Sequence, residues 1–127
     1  MIKNNLRILI VEDNEDMKDI LAFQIEHITG SRPSMASDAS EALSLVEAAN
    51  IEEFPFSLIL MDLRLPVIGG LEAAMLLRKT GFKGVIAACT ADASESGKEE
   101  SEKAGIDVYF DKKALDKKAL EKLLEMV

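Results

Sequence analysis

An aspartate at the end of a strongly apolar run is the first residue whose position indicates chemistry. The run "LILM", Leu58 to Met61, ends in Asp62 and is typical of a β-strand that is buried on both faces. A carboxylate at the tip of a buried strand costs free energy unless another group pairs with it. The sequence therefore predicts that Asp62 has a partner or a function.

Four other polar residues stand at or just beyond the ends of other strand-like runs. Glu12 and Asp13 follow "LRILIV", Thr90 follows "GVIAAC", and Lys112 lies just past "DVYF". In open α/β sheets the ligand site lies beyond the carboxyl ends of the strands. We therefore expect three carboxylates, of which Asp62 is one, to meet a hydroxyl and an ammonium group at one edge of a sheet.

Such a set of groups favours one kind of chemistry. Clustered carboxylates repel each other and raise each other's pKa unless a cation joins them. Oxygen ligands without histidine or cysteine indicate Mg²⁺ rather than Zn²⁺. A carboxylate can also attack phosphorus and form an aspartyl phosphate, with Mg²⁺, Lys112 and Thr90 offsetting the charge on the phosphoryl oxygens. The set predicts phosphoryl transfer to Asp62.

Each residue also has a simpler interpretation when it is taken alone. Asp13 is a candidate N-cap of the first helix, and Glu12 is a candidate exposed loop acid. Thr90 is a candidate strand-end hydroxyl, and Lys112 is one of several lysines in its neighbourhood. All of these interpretations would have to hold together, which favours a shared site.

Strand-like and helix-like segments alternate along the 127 residues, which predicts one domain with a doubly wound, parallel five-stranded α/β sheet and helices on both faces. The weak second strand contains Pro33 and belongs at an edge. The fourth helix is polar and contains Gly97, so we expect it to be loosely held. The predicted strands are "LRILIV", "RPSMAS", "SLILM", "GVIAAC" and "DVYF". The predicted helices are Asn14 to Thr29, Asp38 to about Ala49, Leu71 to Lys79, Ala93 to Ala104, and Ala114 to Met126.

Composition and charge narrow the class of protein. The net charge of −8 argues against a nucleic-acid surface, which needs clustered Lys and Arg. Cys89 is the single cysteine, so no internal disulfide forms and a reducing compartment fits best. No apolar run approaches the roughly 18 residues that span a bilayer. We expect a cytoplasmic protein, or a cytoplasmic module of a larger one, without membrane contact.

The ordered set "ILIVEDN", "LILMDLRLPVIGG", "AACTA" and "AGIDVYFDKK" resembles the receiver domain of two-component response regulators over almost the whole chain. The resemblance implies a flavodoxin-like strand order, 2-1-3-4-5. It implies that Asp62 is the phosphoacceptor. It also implies that Glu12, Asp13, Asp62 and the backbone carbonyl of Arg64 bind Mg²⁺.

The resemblance assigns further roles. Lys112 would pair with the phosphoryl group, Thr90 would close on it, and Tyr109 would swing inward as Thr90 moves. The phosphodonor would be a phosphohistidine on a sensor histidine kinase or a histidine phosphotransfer protein. The face formed by strand four, the fourth helix, strand five and the last helix would carry the signal to a downstream protein, whose identity the sequence leaves open.

Lys113 and Glu12 depart from the family pattern, and Arg64 and Asp92 occupy positions that vary within it. Lys113 stands where relatives usually have a proline, which leaves the geometry of that loop open. Glu12 replaces the more frequent aspartate, and its longer side chain could reach the metal through water. Arg64 and Asp92 are placed to form an ion pair over the site and to hinder attacking water, which is a hypothesis.

Other functions use similar parts. A phosphorylation-independent pseudo-receiver that serves only for docking remains an alternative. Haloacid-dehalogenase-type phosphatases need a second aspartate two positions after the nucleophile, where this chain has Arg64. A flavin-binding module would need a phosphate loop after strand one, where "EDNEDM" would repel phosphate. Whether the chain is a stand-alone regulator, a phosphorelay shuttle or part of a longer protein stays open.

Overall fold

The computed structural model describes residues 2–91 and 94–127. Five parallel strands form one sheet in the order β2-β1-β3-β4-β5, which confirms the predicted strand order and the doubly wound class. The strands are β1 Ile8–Val11, β2 Ser34–Ala36, β3 Leu58–Asp62, β4 Val85–Thr90 and β5 Val108–Asp111. The helices are α1 Glu15–Thr29, α2 Ala39–Ile51, α3 Gly70–Lys79, α4 Glu95–Lys103 and α5 Lys117–Met126.

The core has two layers, because alternate side chains of each strand point to opposite faces of the sheet. On one face, Leu9, Ile59 and Ile86 pack with residues of α2 and α3. On the other face, Ile10 and Leu60 pack with residues of α1 and α5. Both faces are covered, so the central strands β1 and β3 are buried along their whole length, as their apolar sequences predict.

The start of α1 corrects one of the simpler interpretations. The N-cap is Asn14, whose side-chain Oδ1 accepts a hydrogen bond from the Met17 N–H at 2.9 Å. Asp13, the candidate cap, therefore lies one residue before the cap position. The helix ends at Gly30, which adopts the left-handed conformation at φ 77°, as its position predicted.

The start of the last helix also differs from the prediction. Residues Lys112–Ala114 form a short 3₁₀ turn, and α5 begins only at Lys117. Asp116 caps it by accepting a hydrogen bond from the Ala119 N–H at 2.9 Å. The apolar periodicity misled because Leu115 packs against the core from the connecting turn rather than from the helix.

The other boundaries are close to the predicted ones. β1 begins at Ile8 rather than Leu6, α2 continues to Ile51, and α4 ends at Lys103. The predicted start of the fourth helix, Ala93, lies outside the described residues. Within the described part of the chain, none of the helices combines the length and the apolar character that crossing a bilayer requires.

Candidate functional site

Three carboxylates meet at the carboxyl edge of the sheet. Glu12 and Asp13 follow β1, Asp62 ends β3, and one carboxylate oxygen from each lies within 4.8 Å of the others. β1 and β3 are neighbouring strands in parallel register, with Val11 opposite Met61, so their ends coincide. Glu12 and Asp62 are buried, whereas Asp13 is exposed. The strand pairing itself brings these acids together.

Both oxygens of the Asp62 carboxylate have partners. Oδ2 accepts a hydrogen bond from the Lys112 ammonium group at 2.9 Å, and Oδ1 accepts one from the Arg64 backbone N–H at 2.9 Å. These bonds satisfy a side chain that is only 6% exposed. The partner that the sequence required for Asp62 is therefore Lys112, together with the backbone of the following loop.

Glu12 is held in a similar way. Its Oε1 lies 2.8 Å from Lys112 Nζ, and its Oε2 accepts a hydrogen bond from the Asn14 N–H at 3.2 Å. Burial raises the pKa of Glu12 above its ordinary value, Lys112 and the Asn14 N–H oppose that rise, and the neighbouring Asp62 adds to it. The carboxylate stands in a setting that resists negative charge unless cations are near.

Lys112 bridges the two buried carboxylates. It begins the 3₁₀ turn directly after β5, on the far side of β4 from β3. Burial alone would lower the pKa of its ammonium group, but the hydrogen bonds to Glu12 and Asp62 raise that pKa above the usual 10.5. The ammonium group is thus held in its charged form.

The turn that carries Lys112 shows how the departure from proline is accommodated. No peptide bond in the described residues is cis, so the Lys112–Lys113 bond is trans. The Lys113 backbone N–H donates to Asp111 Oδ1 at 2.9 Å, a bond that proline could not make. The loop before the last helix is therefore defined by an aspartate side chain.

The loop after Asp62 is shaped by a glycine and by a strained residue. A Cβ atom on Gly70 would lie 2.6 Å from Leu63 Cα and 2.7 Å from the Asp62 carbonyl oxygen, so only glycine fits where α3 begins. Val67 has φ 66°, a left-handed conformation that is unfavourable for a β-branched residue. The chain reverses tightly here, and the Asp62 carboxylate stays at the edge of the sheet.

Thr90 and Tyr109 lie in β4 and β5, the two successive strands on one side of Asp62 in the sheet. Thr90 ends β4, is buried, and lies opposite Asp111 of β5. Tyr109 lies opposite Ala88 and packs, partly buried, against the core layer on the α2 and α3 face. Asp92, the suggested partner of the exposed Arg64 side chain, lies outside the described residues, so that ion pair stays a prediction.

A model of the response regulator receiver domain family matches residues 8–125, nearly the whole chain. The chain belongs to the receiver domain family.

Curated relatives agree with this assignment. The chain is 41% identical over 101 residues, 79% of its length, to the autoinducer 2 sensor kinase/phosphatase LuxQ of Vibrio vulnificus. It is 32% identical over 111 residues to the transcriptional regulatory protein SphR of Synechococcus elongatus. The matches cover 84% of the chain and 42% of SphR, but only 11% of LuxQ. The chain thus spans about a tenth of LuxQ and under half of SphR.

Solved structures share the fold. Chemotaxis protein CheY4 of Vibrio cholerae superposes with a TM-score of 0.83 at 23% identity, covering 96% of this chain and 98% of that one. The receiver domain of the histidine kinase CKI1 from Arabidopsis thaliana, complexed with Mg²⁺ and BeF3⁻, superposes with a TM-score of 0.79 at 24% identity, covering 96% and 91%.

The donor set of this receiver domain fits Mg²⁺. The described cluster has three carboxylates and one ammonium group, so it carries excess negative charge. Its ligands are hard oxygen atoms, and one acid, Asp13, is exposed and can keep metal-bound water in contact with solvent. A divalent cation would offset the repulsion that Lys112 balances only in part.

One cationic residue near this edge was missed by the sequence reasoning. Lys18 of α1 is buried, and its Nζ contacts Ser37 Oγ at 2.6 Å and Glu15 Oε1 at 2.9 Å. It ties the first turns of α1 to the residue that follows β2. The signal was available, because Lys18 shares the helical spacing of the apolar residues Leu21 and Ile25.

Proposed function

We propose that this receiver domain, residues 1–127, accepts a phosphoryl group on Asp62 and passes the signal to another protein. The donor is a phosphohistidine on a sensor histidine kinase or a histidine phosphotransfer protein. The observation that carries the proposal is the position of Asp62, which ends a buried strand beside Glu12 and Asp13 and bonds to Lys112. The similarity to sensor kinases supports the choice of donor.

In this proposal Asp62 is the nucleophile. One carboxylate oxygen forms a bond to phosphorus while the bond from phosphorus to the imidazole nitrogen breaks. The imidazole leaves as the neutral base, with a proton on its other nitrogen. The Arg64 N–H and the Lys112 ammonium hold the two oxygens of Asp62, so the carboxylate is oriented before the donor arrives.

The remaining residues of the site offset the negative charge on the phosphoryl group. Glu12, Asp13, Asp62 and the Arg64 carbonyl would hold Mg²⁺, which neutralises part of the charge on the phosphoryl oxygens. Lys112 neutralises more, because its ammonium group already lies at the carboxylate. Thr90 donates its hydroxyl to a phosphoryl oxygen, and Tyr109 follows Thr90 inward. The only reactions that the domain catalyses are its own phosphorylation and dephosphorylation.

The output follows from the added charge. Phosphorylation places about −1.5 to −2 units of charge at one point, which draws Thr90 and Lys112 towards it. The surface formed by α4, β5 and α5 adjoins both residues and carries the change to a downstream protein in the cytoplasm. Neither nucleic acid nor membrane is a direct partner, which agrees with the net charge of −8.

The test uses acetyl phosphate as a small phosphodonor, with and without Mg²⁺, and locates the adduct by mass spectrometry. We expect the wild type to be modified at Asp62 only with Mg²⁺, and Asp62→Asn to stay unmodified. Asp116→Asn is the matched control and should behave as the wild type, because asparagine also caps a helix. A folded wild type that takes no phosphoryl group would point to a docking-only pseudo-receiver.

A further inference from the structure

The α4 helix has an unusual inner face. Of its residues from Gly97 to Lys103, only Ser101 is buried and Gly97 is half-buried, and the others are exposed. This part of the helix contains no apolar side chain that could pack on the sheet. Between Gly97 and Lys103, Gly97 and Ser101 are therefore the residues that lie against the rest of the fold.

The Tyr109 hydroxyl makes one of these contacts. A Cβ atom built on Gly97 would lie 2.6 Å from Tyr109 Oη, 3.2 Å from Ser94 Oγ and 3.5 Å from Tyr109 Cζ. The first distance is one that real Cβ atoms do not show, whereas the last is an ordinary contact. The end of the tyrosine side chain thus occupies the space that any other residue at position 97 would fill.

The contact between Tyr109 and Gly97 is connected to Asp62 through Lys112. Tyr109 is in β5, three residues before Lys112, and Lys112 bonds to Asp62. The neighbouring strand β4 ends in Thr90, and the segment after it leads into α4. A chain of neighbours therefore runs from the first turn of α4 through Tyr109 and β5 to Lys112 and Asp62.

We propose that Gly97 leaves the space that the Tyr109 hydroxyl occupies in the unphosphorylated receiver, and that residue 97 sets the balance between this ring position and the inward position of the proposed function. The proposal rests on the proposed function and adds its regulation. The Lys112–Asp62 bond marks the described arrangement as that of the unmodified carboxylate. A methyl group at position 97 would expel the ring from this place and so favour the phosphorylated arrangement.

Intrinsic fluorescence can follow the Tyr109 ring, because Tyr109 is the single tyrosine of the chain and the chain has no tryptophan. Tyrosine emission therefore reports on Tyr109 alone. We expect the emission of the wild type to change when Mg²⁺ and BeF3⁻, a phosphoryl mimic, are added. Gly97→Ala should show the shifted emission without the mimic and should bind it at a several-fold lower midpoint concentration. Lys98→Ala, an exposed neighbour on the same helix, should match the wild type in both respects.

Tyr109→Phe removes the hydroxyl and so distinguishes the effect of this contact from the effect of helix propensity at position 97. Alanine favours a helix more than glycine does, so Gly97→Ala by itself would strengthen α4 without moving the ring. In a Tyr109→Phe background the 2.6 Å clash with the hydroxyl disappears, Cζ stays at an ordinary distance, and only the tight 3.2 Å approach to Ser94 Oγ remains. Gly97→Ala should then leave the BeF3⁻ midpoint unchanged, measured in all variants by calorimetric titration because this background has no tyrosine to emit. If Gly97→Ala fails to fold and Tyr109→Phe restores folding, the contact is likewise demonstrated.

Several outcomes would overturn the inference. They are unchanged emission in Gly97→Ala, an effect on the midpoint that persists with Tyr109→Phe, and a folding defect that Tyr109→Phe does not relieve. Acetyl phosphate labelling of Asp62 tests the proposed function separately. Normal labelling with unchanged emission would reject the role of Gly97 alone. Absent labelling in the folded wild type would reject the function, and the regulatory role of Gly97 with it.

Discussion

The helices α1 and α4 both begin at the carboxyl edge of the sheet, but they are attached to it in different ways. Both have a side-chain N-cap, Asn14 in α1 and Ser94 in α4. The α1 helix buries Leu21, Ala22 and Ile25 in the core layer that it shares with α5. Among the described side chains of α4, only that of Ser101 is buried.

The difference has an energetic meaning. Burying a leucine or isoleucine side chain stabilises a fold by about 1.5–3 kcal/mol, and α1 has two of them. The Ser101 Oγ finds no hydrogen-bond partner among the described residues, and an unsatisfied buried hydroxyl costs about 1–3 kcal/mol. The acids that follow β1 thus stand on a firmly packed frame. The half of the site that follows β4 adjoins a helix with little packing to hold it.

The C-terminal end of α4 is held by the side chain of an arginine in α3. Arg78 of α3 donates from Nε to the Gly105 carbonyl at 2.9 Å and forms an ion pair with Asp107 at 2.7 Å. Its Nη1 also donates to the Phe82 and Gly84 carbonyls. The contrast is therefore between a helix packed along its length and a helix anchored at its end.

The largest effect is expected on the packed side. Ile25→Ala should lower the free energy of unfolding by about 2–5 kcal/mol, because it leaves a cavity in the α1 layer. Urea denaturation followed by circular dichroism measures the loss. Phe23→Ala, on the exposed side of the same helix, is the control and should change stability little. Equal losses in both variants would contradict the assigned packing.

The anchor of α4 should give the next largest effect. Arg78→Lys keeps the charge but cannot span the Gly105, Phe82 and Gly84 carbonyls, so we expect a loss of about 2 kcal/mol. Hydrogen exchange should increase most in the segment after α4, near Ile106. Lys79→Arg, at the exposed end of the same helix, should leave both measurements unchanged. Unaltered hydrogen exchange in Arg78→Lys would show that Arg78 does not hold the end of α4.

A pH effect is expected from Cys89, which packs in the α1 layer. Burial raises the pKa of this thiol from 9.0 to about 12. The unfolded thiol therefore ionises first, and the stability contributed by Cys89 is complete below pH 9 and declines as the pH rises towards 12. By pH 10 the loss is about 1.4 kcal/mol. Urea titrations from pH 8 to 10 should show a steeper decline for the wild type than for Cys89→Ala, and identical slopes would refute the shift.

The smallest effect is expected on the α4 side. Ser101→Ala removes a buried hydroxyl to which the described part of the chain offers no partner, so it should stabilise the fold by about 1 kcal/mol or less. Glu99→Ala places an alanine at an exposed position of the same helix and leaves the buried hydroxyl in place, so it is the control. Thermal unfolding compares the two variants. If Ser101→Ala destabilises the domain, the hydroxyl makes a contact that the comparison overlooks.

The sequence by itself determined the sheet, the order of its elements and the edge at which the polar groups lie. Apolar runs such as "LILM" and the helical spacing of Leu21 and Ile25 are local patterns, and local patterns identify strands and helices. The position of Asp62 at a strand end was visible for the same reason. Parallel strands align their carboxyl ends, so the meeting of Glu12 with Asp62 followed from the fold class.

Only the tertiary structure decided which polar groups touch. Asn14 rather than Asp13 caps α1, and α5 begins at Lys117, because caps depend on backbone direction and not on residue type alone. Lys112 and Asp62 are 50 residues apart and meet at 2.9 Å. The approach of the Tyr109 hydroxyl to Gly97 exists only because the fold brings β5 and α4 together. Such contacts depend on distances between elements, which periodicity along a chain does not encode.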